Sequence, residues 1–187
     1  MKSQVRIIGG KWRGSKLAVV DARGLRPTPD RIRETLFNWL APKCTGASVL
    51  DCFAGSGVLG FEALSRGAAH VVALEQQPAA VARLEAQAER FQTRDIEVIA
   101  GDACRSIENL QRDFDIVFID PPYAEPQLRQ RVFGKLEAQG CLRPGAVVYF
   151  EWPHATEFEL PSAGLRWLKQ KNAGQVNYAI AEWQLSR

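Results

Sequence analysis

The chain has 187 residues, 46% hydrophobic and 24% charged, which suits one α/β domain with a full core and room for a small extension. No apolar run approaches the roughly 18 residues of a membrane span, and the first residues lack the apolar region of a signal peptide. We therefore expect a cytoplasmic protein with no membrane contact. Its four cysteines form no C-x-x-C pair and its two histidines lie far apart, so we expect neither a metal site nor a disulfide framework.

The net charge of +3 is unevenly distributed along the chain. Residues 1–43 contain ten Lys/Arg and three Asp/Glu, whereas residues 44–187 contain fourteen and eighteen. A basic N-terminal arm on a slightly acidic body suggests that the arm holds a polyanion. A solvated leading segment would give the same pattern, so the charge alone leaves both interpretations open.

Two short β-prone runs, 5–8 and 16–20, flank the basic stretch 9–14, which is rich in turn residues. This pattern predicts a basic β-hairpin. We therefore divide the chain into a hairpin extension over residues 1–24 and a main domain over residues 25–187.

The middle of this hairpin carries an aromatic residue between two cations, Trp12 between Lys11 and Arg13. The indole ring can stack on a nucleobase while its neighbours contact phosphates. It can equally pin the hairpin to the body of the protein. Both interpretations fit the sequence.

A helix is predicted to begin after Thr28, a plausible N-cap, with Pro29 at the first helical position, where its missing N–H costs nothing. Pro42 is predicted to end this helix. Arg31 and Arg33 are predicted to lie away from its apolar face. That face comprises Ile32, Leu36, Trp39 and Leu40.

From residue 47 onwards, strand-like and helix-like segments alternate, which predicts a mostly parallel, doubly wound sheet. The predicted strands are 48–51, 71–75, 96–100, 116–119 and 146–151, and the predicted helices are 57–66, 78–91, 103–110 and 126–138. A turn is predicted over residues 142–145. The last two strand-like runs, 165–170 and 176–185, flank residues 172–174, which are typical of a hairpin turn. We therefore expect an antiparallel pair of strands at one edge of the sheet.

The strand over 116–119 leads into Asp120, Pro121, Pro122 and Tyr123, at the strand end where ligands of open α/β sheets bind. The exocyclic amine of a nucleobase is a poor nucleophile and needs acceptors for its two hydrogens. The Asp120 carboxylate and the Pro121 carbonyl, held by the two prolines, supply such acceptors. The Tyr123 ring can stack on a base flipped out of its helix. A stiff turn after a buried strand is the alternative interpretation.

After the first strand of the alternation, Gly55, Gly57 and Gly60 match G-x-G-x-x-G between a strand and a helix. A tight glycine turn lets a ligand approach the backbone, and Glu75, at the end of the second strand, can bind ribose hydroxyls. These features fit NAD and S-adenosylmethionine alike, and a tight turn without a ligand is also compatible with them.

Two details favour S-adenosylmethionine over NAD. The charge of Asp51 would face a pyrophosphate unfavourably, but it can organise a loop around a cationic amino-acid tail. The Asp102 carboxylate and the following N–H of Ala103 can pair with the edge of adenine. Capping of a helix is the alternative role for Asp102.

Five stretches together resemble one bacterial family: residues 6–14, 25–38, 51–57, 120–123 and 174–178. The chain resembles the 16S ribosomal RNA guanine-N2 methyltransferases over nearly its whole length. The glycine stretch and Asp-Pro-Pro-Tyr are shared with many enzymes that methylate amino groups. The N-terminal stretches 6–14 and 25–38 are what distinguish this family from the others.

The resemblance implies a Rossmann-like S-adenosylmethionine-dependent methyltransferase fold, with a seven-stranded, mostly parallel sheet and an antiparallel C-terminal hairpin. It implies methylation of the N2 amine of one guanine in 16S rRNA, with the assembled small subunit and neighbouring ribosomal proteins as partners; we expect a monomer. The implied cofactor residues are Asp51, Ala54, Gly55 and Gly57 for the methionine part, Glu75 for the ribose, Asp102 and Ala103 for adenine, and Thr28 in a closing segment. The implied substrate residues are Asp120, Pro121, Pro122 and Tyr123 for guanine, with Lys11, Trp12, Arg13 and Arg26 contacting RNA.

Three other functions are compatible with these residues. A DNA adenine-N6 methyltransferase would use the same Asp-Pro-Pro-Tyr stretch. An NAD-dependent oxidoreductase would use the glycines, although the sequence offers it no obvious proton donor. A non-catalytic RNA-binding or assembly factor would use the basic arm.

Overall fold

The computed structural model describes residues 4–18 and 28–184 of the chain. Within these ranges the strands are β1 (Gln4–Arg6), β2 (Lys16–Ala18), β3 (Ser48–Asp51), β4 (His70–Glu75), β5 (Ile96–Ala100), β6 (Phe114–Ile119), β7 (Leu142–Pro153), β8 (Leu165–Ala173) and β9 (Val176–Trp183). The helices are α1 (Asp30–Cys44), α2 (Val58–Ser65), α3 (Pro78–Arg90), α4 (Ala103–Glu108) and α5 (Leu128–Ala138). The predicted alternation of strands and helices is confirmed.

The main sheet has seven strands over the described residues, in the order β5-β4-β3-β6-β7-β9-β8. The five strands from β5 to β7 are parallel, and β9 pairs antiparallel with both β7 and β8. The predicted fold class, with an antiparallel hairpin at one edge, is confirmed. The chain winds from β3 through β4 to β5, then crosses over to β6, so the switch point of the sheet lies between β3 and β6.

Both faces of the sheet are covered by helices, which explains the continuous apolar run in β6. Ile116 and Phe118 pack into a core shared with α1, α2 and α3, whereas Val117 and Ile119 pack into a second core shared with α4 and α5. All four side chains are fully buried. This alternation fixes the register of the strand, and therefore the point where it ends at Asp120.

The N-terminal hairpin, in which β1 pairs antiparallel with β2, docks on the C-terminal end of α2. The Ile8 N–H donates to Glu62 (2.8 Å), the Lys11 N–H to the Ser65 carbonyl (2.7 Å) and the Trp12 N–H to the Ser65 hydroxyl (2.9 Å). At Gly10 the approach is so close that an added Cβ would lie 1.7 Å from the Ser65 carbonyl oxygen. The hairpin is therefore held against the domain by backbone contacts.

Helix α1 differs from its predicted form at both ends. Its N-cap is Pro29, with extended backbone angles and no side-chain cap, so the prediction of Thr28 as N-cap was wrong. Thr28 is buried, and its carbonyl accepts a hydrogen bond from Nε of Arg33 (3.1 Å). Pro42 lies inside the last turn and the helix continues to Cys44, because a proline there removes only one hydrogen bond.

Arg33 lies inside the protein, so the prediction that it faces away from the apolar side of α1 was wrong. Its side chain is fully buried and pairs with Glu62 (3.4 Å) and Asp30 (2.6 Å). It also donates to the carbonyl of Arg6 (2.8 Å). Glu62 in turn accepts from Nε of Arg66 (2.8 Å), so its buried carboxylate has two cationic partners. This network connects β1, α1 and α2.

The predicted turn over residues 142–145 was wrong, because β7 begins at Leu142 and runs through it. The pairing with β6 passes from Phe114–Leu142 to Ile116–Val147, a β-bulge that takes up the extra residues. Gly145 has a φ of +77° within this bulge.

We expect Arg33→Met to lower the free energy of unfolding by about 3–5 kcal/mol, because the variant leaves the buried Glu62 carboxylate without its main partner on α1. Arg31→Met is the matched control, since Arg31 is exposed on the same helix. Its loss should stay within about 0.5 kcal/mol. Urea denaturation at neutral pH measures both variants. Equal losses would show that the buried network does not hold the hairpin and α1 in place.

Candidate active site

Three acidic side chains lie at the carboxyl ends of adjacent parallel strands: Asp51 on β3, Asp120 after β6 and Glu151 on β7. The pairing places Asp51 opposite Phe118, two residues before Asp120. It places Ile119 opposite Phe150, so Asp120 and Glu151 follow at neighbouring positions. The sheet therefore gathers these carboxylates at one edge, at its switch point.

The glycine loop, residues 52–57, leads from β3 into α2. Gly55 and Gly57 have φ angles of +51° and +74°, which favour glycine. At Gly57 an added Cβ would lie 2.4 Å from Cδ2 of Leu84. The Ala54 N–H donates to the Leu74 carbonyl (3.0 Å), which ties the loop to β4. The loop thus has the tight backbone that close approach of a ligand requires.

Glu75 fixes the glycine loop. Its two carboxylate oxygens accept hydrogen bonds from the N–H groups of Gly55 (2.7 Å) and Gln77 (2.8 Å). Each carboxylate oxygen has a further lone pair, so hydrogen bonds to ribose hydroxyls remain compatible with this geometry. Its role towards ribose stays a prediction.

Asp102 is exposed and is the N-cap of α4, accepting from the Arg105 N–H (3.1 Å). The capping role considered in the sequence analysis is therefore present. Ala103 is buried at the first position of the helix. A carboxylate that caps through one oxygen can still accept through the other, so the adenine contact stays a prediction.

Asp51 is 3% exposed, and its burial raises its pKa to about 7. Hydrogen bonds from the N–H groups of Phe53 and Gly60 lower this pKa, and the negative charge of Glu75 raises it. The carboxylate is therefore only weakly stabilised in its ionised form. A cation bound beside it would favour ionisation.

Burial also raises the pKa of Asp120 well above its ordinary value. The negative charges of Glu151 and Asp51 act in the same direction, and the Arg129 guanidinium opposes them. The ionised form of Asp120, like that of Asp51, is therefore poorly stabilised by its own surroundings. A ligand carrying positive charge, such as a sulfonium with an amino-acid ammonium, fits this cluster electrostatically.

The Asp120 loop, residues 120–127, leaves β6 through two prolines. Pro121 is buried, whereas the carbonyl of the exposed Pro122 accepts from the Glu125 N–H (2.9 Å). The Tyr123 side chain is 45% exposed, and its hydroxyl donates to Oε1 of Glu151 (2.8 Å). The loop therefore presents an aromatic ring to solvent beside the acidic edge.

Two residues of this region were missed by the sequence analysis, Glu151 and Arg129. Glu151 marked only the end of a predicted strand, yet its place at the carboxyl end of a strand next to β6 was a usable signal. Arg129 is 3% exposed and its Nε donates to the Glu151 carbonyl (3.0 Å). Arg129 lies three and seven residues before Val132 and Leu136, so helical spacing was a usable signal of its burial.

The remaining predicted residues lie in or near the N-terminal hairpin. Lys11 and Arg13 are exposed. Trp12 stacks on Phe91 with ring centroids 4.5 Å apart, so it pins the hairpin to the body, and its contact with RNA stays a prediction. Arg26 lies outside the described residues. Thr28 lines a cavity of about 500 Å³ between the hairpin and the start of α1. Among the described residues, those of the glycine loop do not line this cavity.

The fold and the acidic strand ends define a Rossmann-like methyltransferase. Residues 5–182 match the family model described as Conserved hypothetical protein 95, and the chain belongs to this family. It is 43% identical over 179 residues to the ribosomal RNA small subunit methyltransferase D of Escherichia coli, covering 95% of this chain and 89% of that protein.

Solved structures agree with this assignment. A methyltransferase from Escherichia coli superposes with a TM-score of 0.90 at 40% identity, covering 98% of this chain and all of that one. A 16S rRNA guanine-N2 methyltransferase from Thermus thermophilus, in complex with AdoMet and guanosine, superposes with a TM-score of 0.74 at 22% identity. The match covers 98% of this chain and 50% of the other, and it shows that the two share the fold. The predicted family is confirmed, and these relatives give no support to the DNA adenine-N6 alternative.

Within residues 4–18 and 28–184, no helix has the length and apolar character to span a membrane. Among the same residues, no group of His, Cys, Asp or Glu side chains is arranged to hold a metal ion.

Removal of the buried charge of Asp51 should stabilise the protein without ligand. The pKa of Asp51 is raised from an unfolded value of about 4 to about 7, so the folded state binds more protons between these values and the stability of the wild type falls as pH rises towards 7. We expect Asp51→Asn to raise the free energy of unfolding by about 1–3 kcal/mol at pH 8, and by less at pH 5.5. Urea denaturation at the two pH values measures this difference.

Glu85→Gln, at an exposed position on α3, is the control and should change stability little at either pH. A gain for Asp51→Asn that is independent of pH would contradict the electrostatic interpretation.

Proposed function

We propose that the protein transfers a methyl group from S-adenosylmethionine to the exocyclic N2 amine of a guanine in 16S rRNA of the small ribosomal subunit. The observation that carries this proposal is the convergence of the glycine loop and the Asp120 loop on one acidic edge of the sheet. The name of the curated relative, ribosomal RNA small subunit methyltransferase D, supports rRNA as the substrate. We further expect a cytoplasmic monomer that meets its RNA in the assembled subunit, beside neighbouring ribosomal proteins.

The cofactor side of the site consists of the glycine loop and the strand ends beside it. Asp51 and the backbone of Ala54, Gly55 and Gly57 surround the methionine part, and Glu75 accepts from the ribose hydroxyls. When bound, S-adenosylmethionine supplies a methyl group already activated on a sulfonium. The buried carboxylate of Asp51 favours such a cation over a dinucleotide pyrophosphate.

The substrate side consists of the Asp120 loop. The Asp120 carboxylate and the Pro121 carbonyl accept the two hydrogens of the amine, which directs its lone pair towards the methyl group. The carboxylate is also placed to take the proton that the amine loses after transfer. Tyr123 offers its exposed ring as the surface on which the extruded base stacks.

Asp120→Ala should lower methyl transfer about 10²–10³-fold and leave binding of S-adenosylmethionine nearly unchanged, because it removes an acceptor used by the substrate amine. The assay follows labelled methyl transfer to small subunits, naked 16S rRNA and duplex DNA, with the modified base identified by mass spectrometry. Cofactor affinity is measured by calorimetry on the same preparations. Near-normal turnover would remove the acceptor role, and methylation of DNA alone would overturn the proposed substrate.

The exposed cations of the hairpin should contribute to RNA affinity. We expect Lys11→Ala and Arg13→Ala each to weaken RNA binding. Each should also reduce the slope of log K against log salt concentration by about one, because one phosphate contact is lost. Lys169→Ala and Lys171→Ala, exposed on the edge strand β8, are controls of equal charge. Fluorescence anisotropy over a salt series measures the slopes. The same slope in all four variants would assign the hairpin a structural role only.

A further inference from the structure

Glu151 joins the exposed ring of the Asp120 loop to the interior of the protein. Its carboxylate is 5% exposed and accepts two phenol hydrogens, from Tyr123 at Oε1 (2.8 Å) and from Tyr149 at Oε2 (2.8 Å). Tyr149 is fully buried on the same strand, whereas Tyr123 is nearly half exposed. One carboxylate thus connects a core side chain to a side chain at the substrate site.

Arg129 anchors the backbone of Glu151. Its Nε donates to the Glu151 carbonyl (3.0 Å) and its Nη1 to the Pro126 carbonyl (3.4 Å). Because Pro126 belongs to the Asp120 loop and Glu151 ends β7, the guanidinium connects the loop to the sheet. Its positive charge also lowers the pKa of Glu151, as do the two tyrosine hydroxyls, against the stronger opposite effect of burial.

The hydrogen bond between Tyr123 and Glu151 has the character of a charge-assisted contact. Burial and the charge of Glu151 raise the pKa of Tyr123, so the phenol stays protonated and donates a hydrogen bond to the carboxylate. An exposed tyrosine without a partner samples several rotamers, and stacking on a base then costs the entropy of ordering the ring. Ordering the ring before the substrate arrives removes that cost.

We propose that Glu151 is a positioning residue for the substrate base: its buried carboxylate fixes the Tyr123 ring as the surface on which the base stacks. The proposal rests on the proposed function for the identity of the ligand that the ring receives. It assigns Glu151 a role in substrate binding through Tyr123, with no contact to the cofactor.

Methyl-transfer kinetics on the full-length protein test this role with a set of variants. We expect Tyr123→Phe and Glu151→Ala each to lower kcat/KM for the RNA about tenfold, mainly through KM, because each removes the same hydrogen bond. The double variant should lose little more than Glu151→Ala alone, since the bond can be removed only once. Glu151→Gln should recover most of the activity, because its amide oxygen still accepts from Tyr123. Affinity for S-adenosylmethionine should stay within about twofold in every variant.

Tyr149→Phe is the matched control for stability. It removes the other phenol hydrogen bond of the same carboxylate and leaves the bond from Tyr123 in place. We expect a stability loss similar to that of Tyr123→Phe with a kcat/KM change of at most about twofold. Losses that add in the double variant, or a glutamine as harmful as alanine, would overturn the positioning role.

Fluorine NMR with 3-fluorotyrosine provides a readout that does not depend on activity. The chain has three tyrosines, and Tyr123→Phe identifies the signal of residue 123. We expect Glu151→Ala to shift and sharpen this signal towards that of an exposed, freely rotating ring, and Glu151→Gln to change it little. An unaltered signal in Glu151→Ala would overturn the inference. A wild type that methylates no RNA would overturn the proposed function instead, and the NMR result would still decide the role of Glu151.

Discussion

The parallel pairing of β3 with β6 is the constraint on which the rest of the molecule depends. It places Asp51 opposite Phe118, and the Cys52 N–H donates to the Phe118 carbonyl (3.0 Å), so the pairing extends to the strand exits. The chain reaches β6 only after passing through β4 and β5 on the other side, so the exits of β3 and β6 form the switch point, where open α/β sheets bind ligands. The glycine loop and the Asp120 loop therefore begin side by side, although they are far apart in sequence.

The buried Glu62 differs from Asp51 and the half-buried Asp120 in how its charge is balanced. Glu62 accepts from Arg33, Arg66 and the Ile8 N–H, so its negative charge is paired on several sides. Asp51 and Asp120 lack comparable compensation, and burial raises the pKa of both. A buried charge that is paired within the protein is usually structural. A buried charge without such pairing lowers stability, and groups of this kind are often found where a ligand binds. The electrostatics alone thus separate the structural glutamate from the acidic groups of the site.

Local sequence signals were sufficient for features that depend on neighbouring residues. The strand exits at Asp51 and Asp120 and the antiparallel edge followed from periodicity and turn residues. The errors concern contacts across the fold. Arg33 lies three residues before Leu36 and seven before Leu40, so helical spacing already places it on the buried face of α1, and the prediction misjudged this position. A charged residue is seldom buried unless it is paired, and its partner Glu62 lies on another helix. The bulge at residues 142–145 likewise depends on pairing with β6, which no local pattern contains.

Helix α2 sets the distance between the N-terminal hairpin and the glycine loop. It begins at Val58, directly after the glycine loop, and ends at Ser65, which accepts hydrogen bonds from the backbone N–H groups of Lys11 and Trp12. An eight-residue helix is about 12 Å long. The hairpin is fixed at the far end of this helix by the hydrogen bonds to Glu62 and Ser65. In the proposed function, the hairpin cations bind phosphates about one helix length from the glycine loop, and such phosphate contacts orient the RNA without reading its sequence.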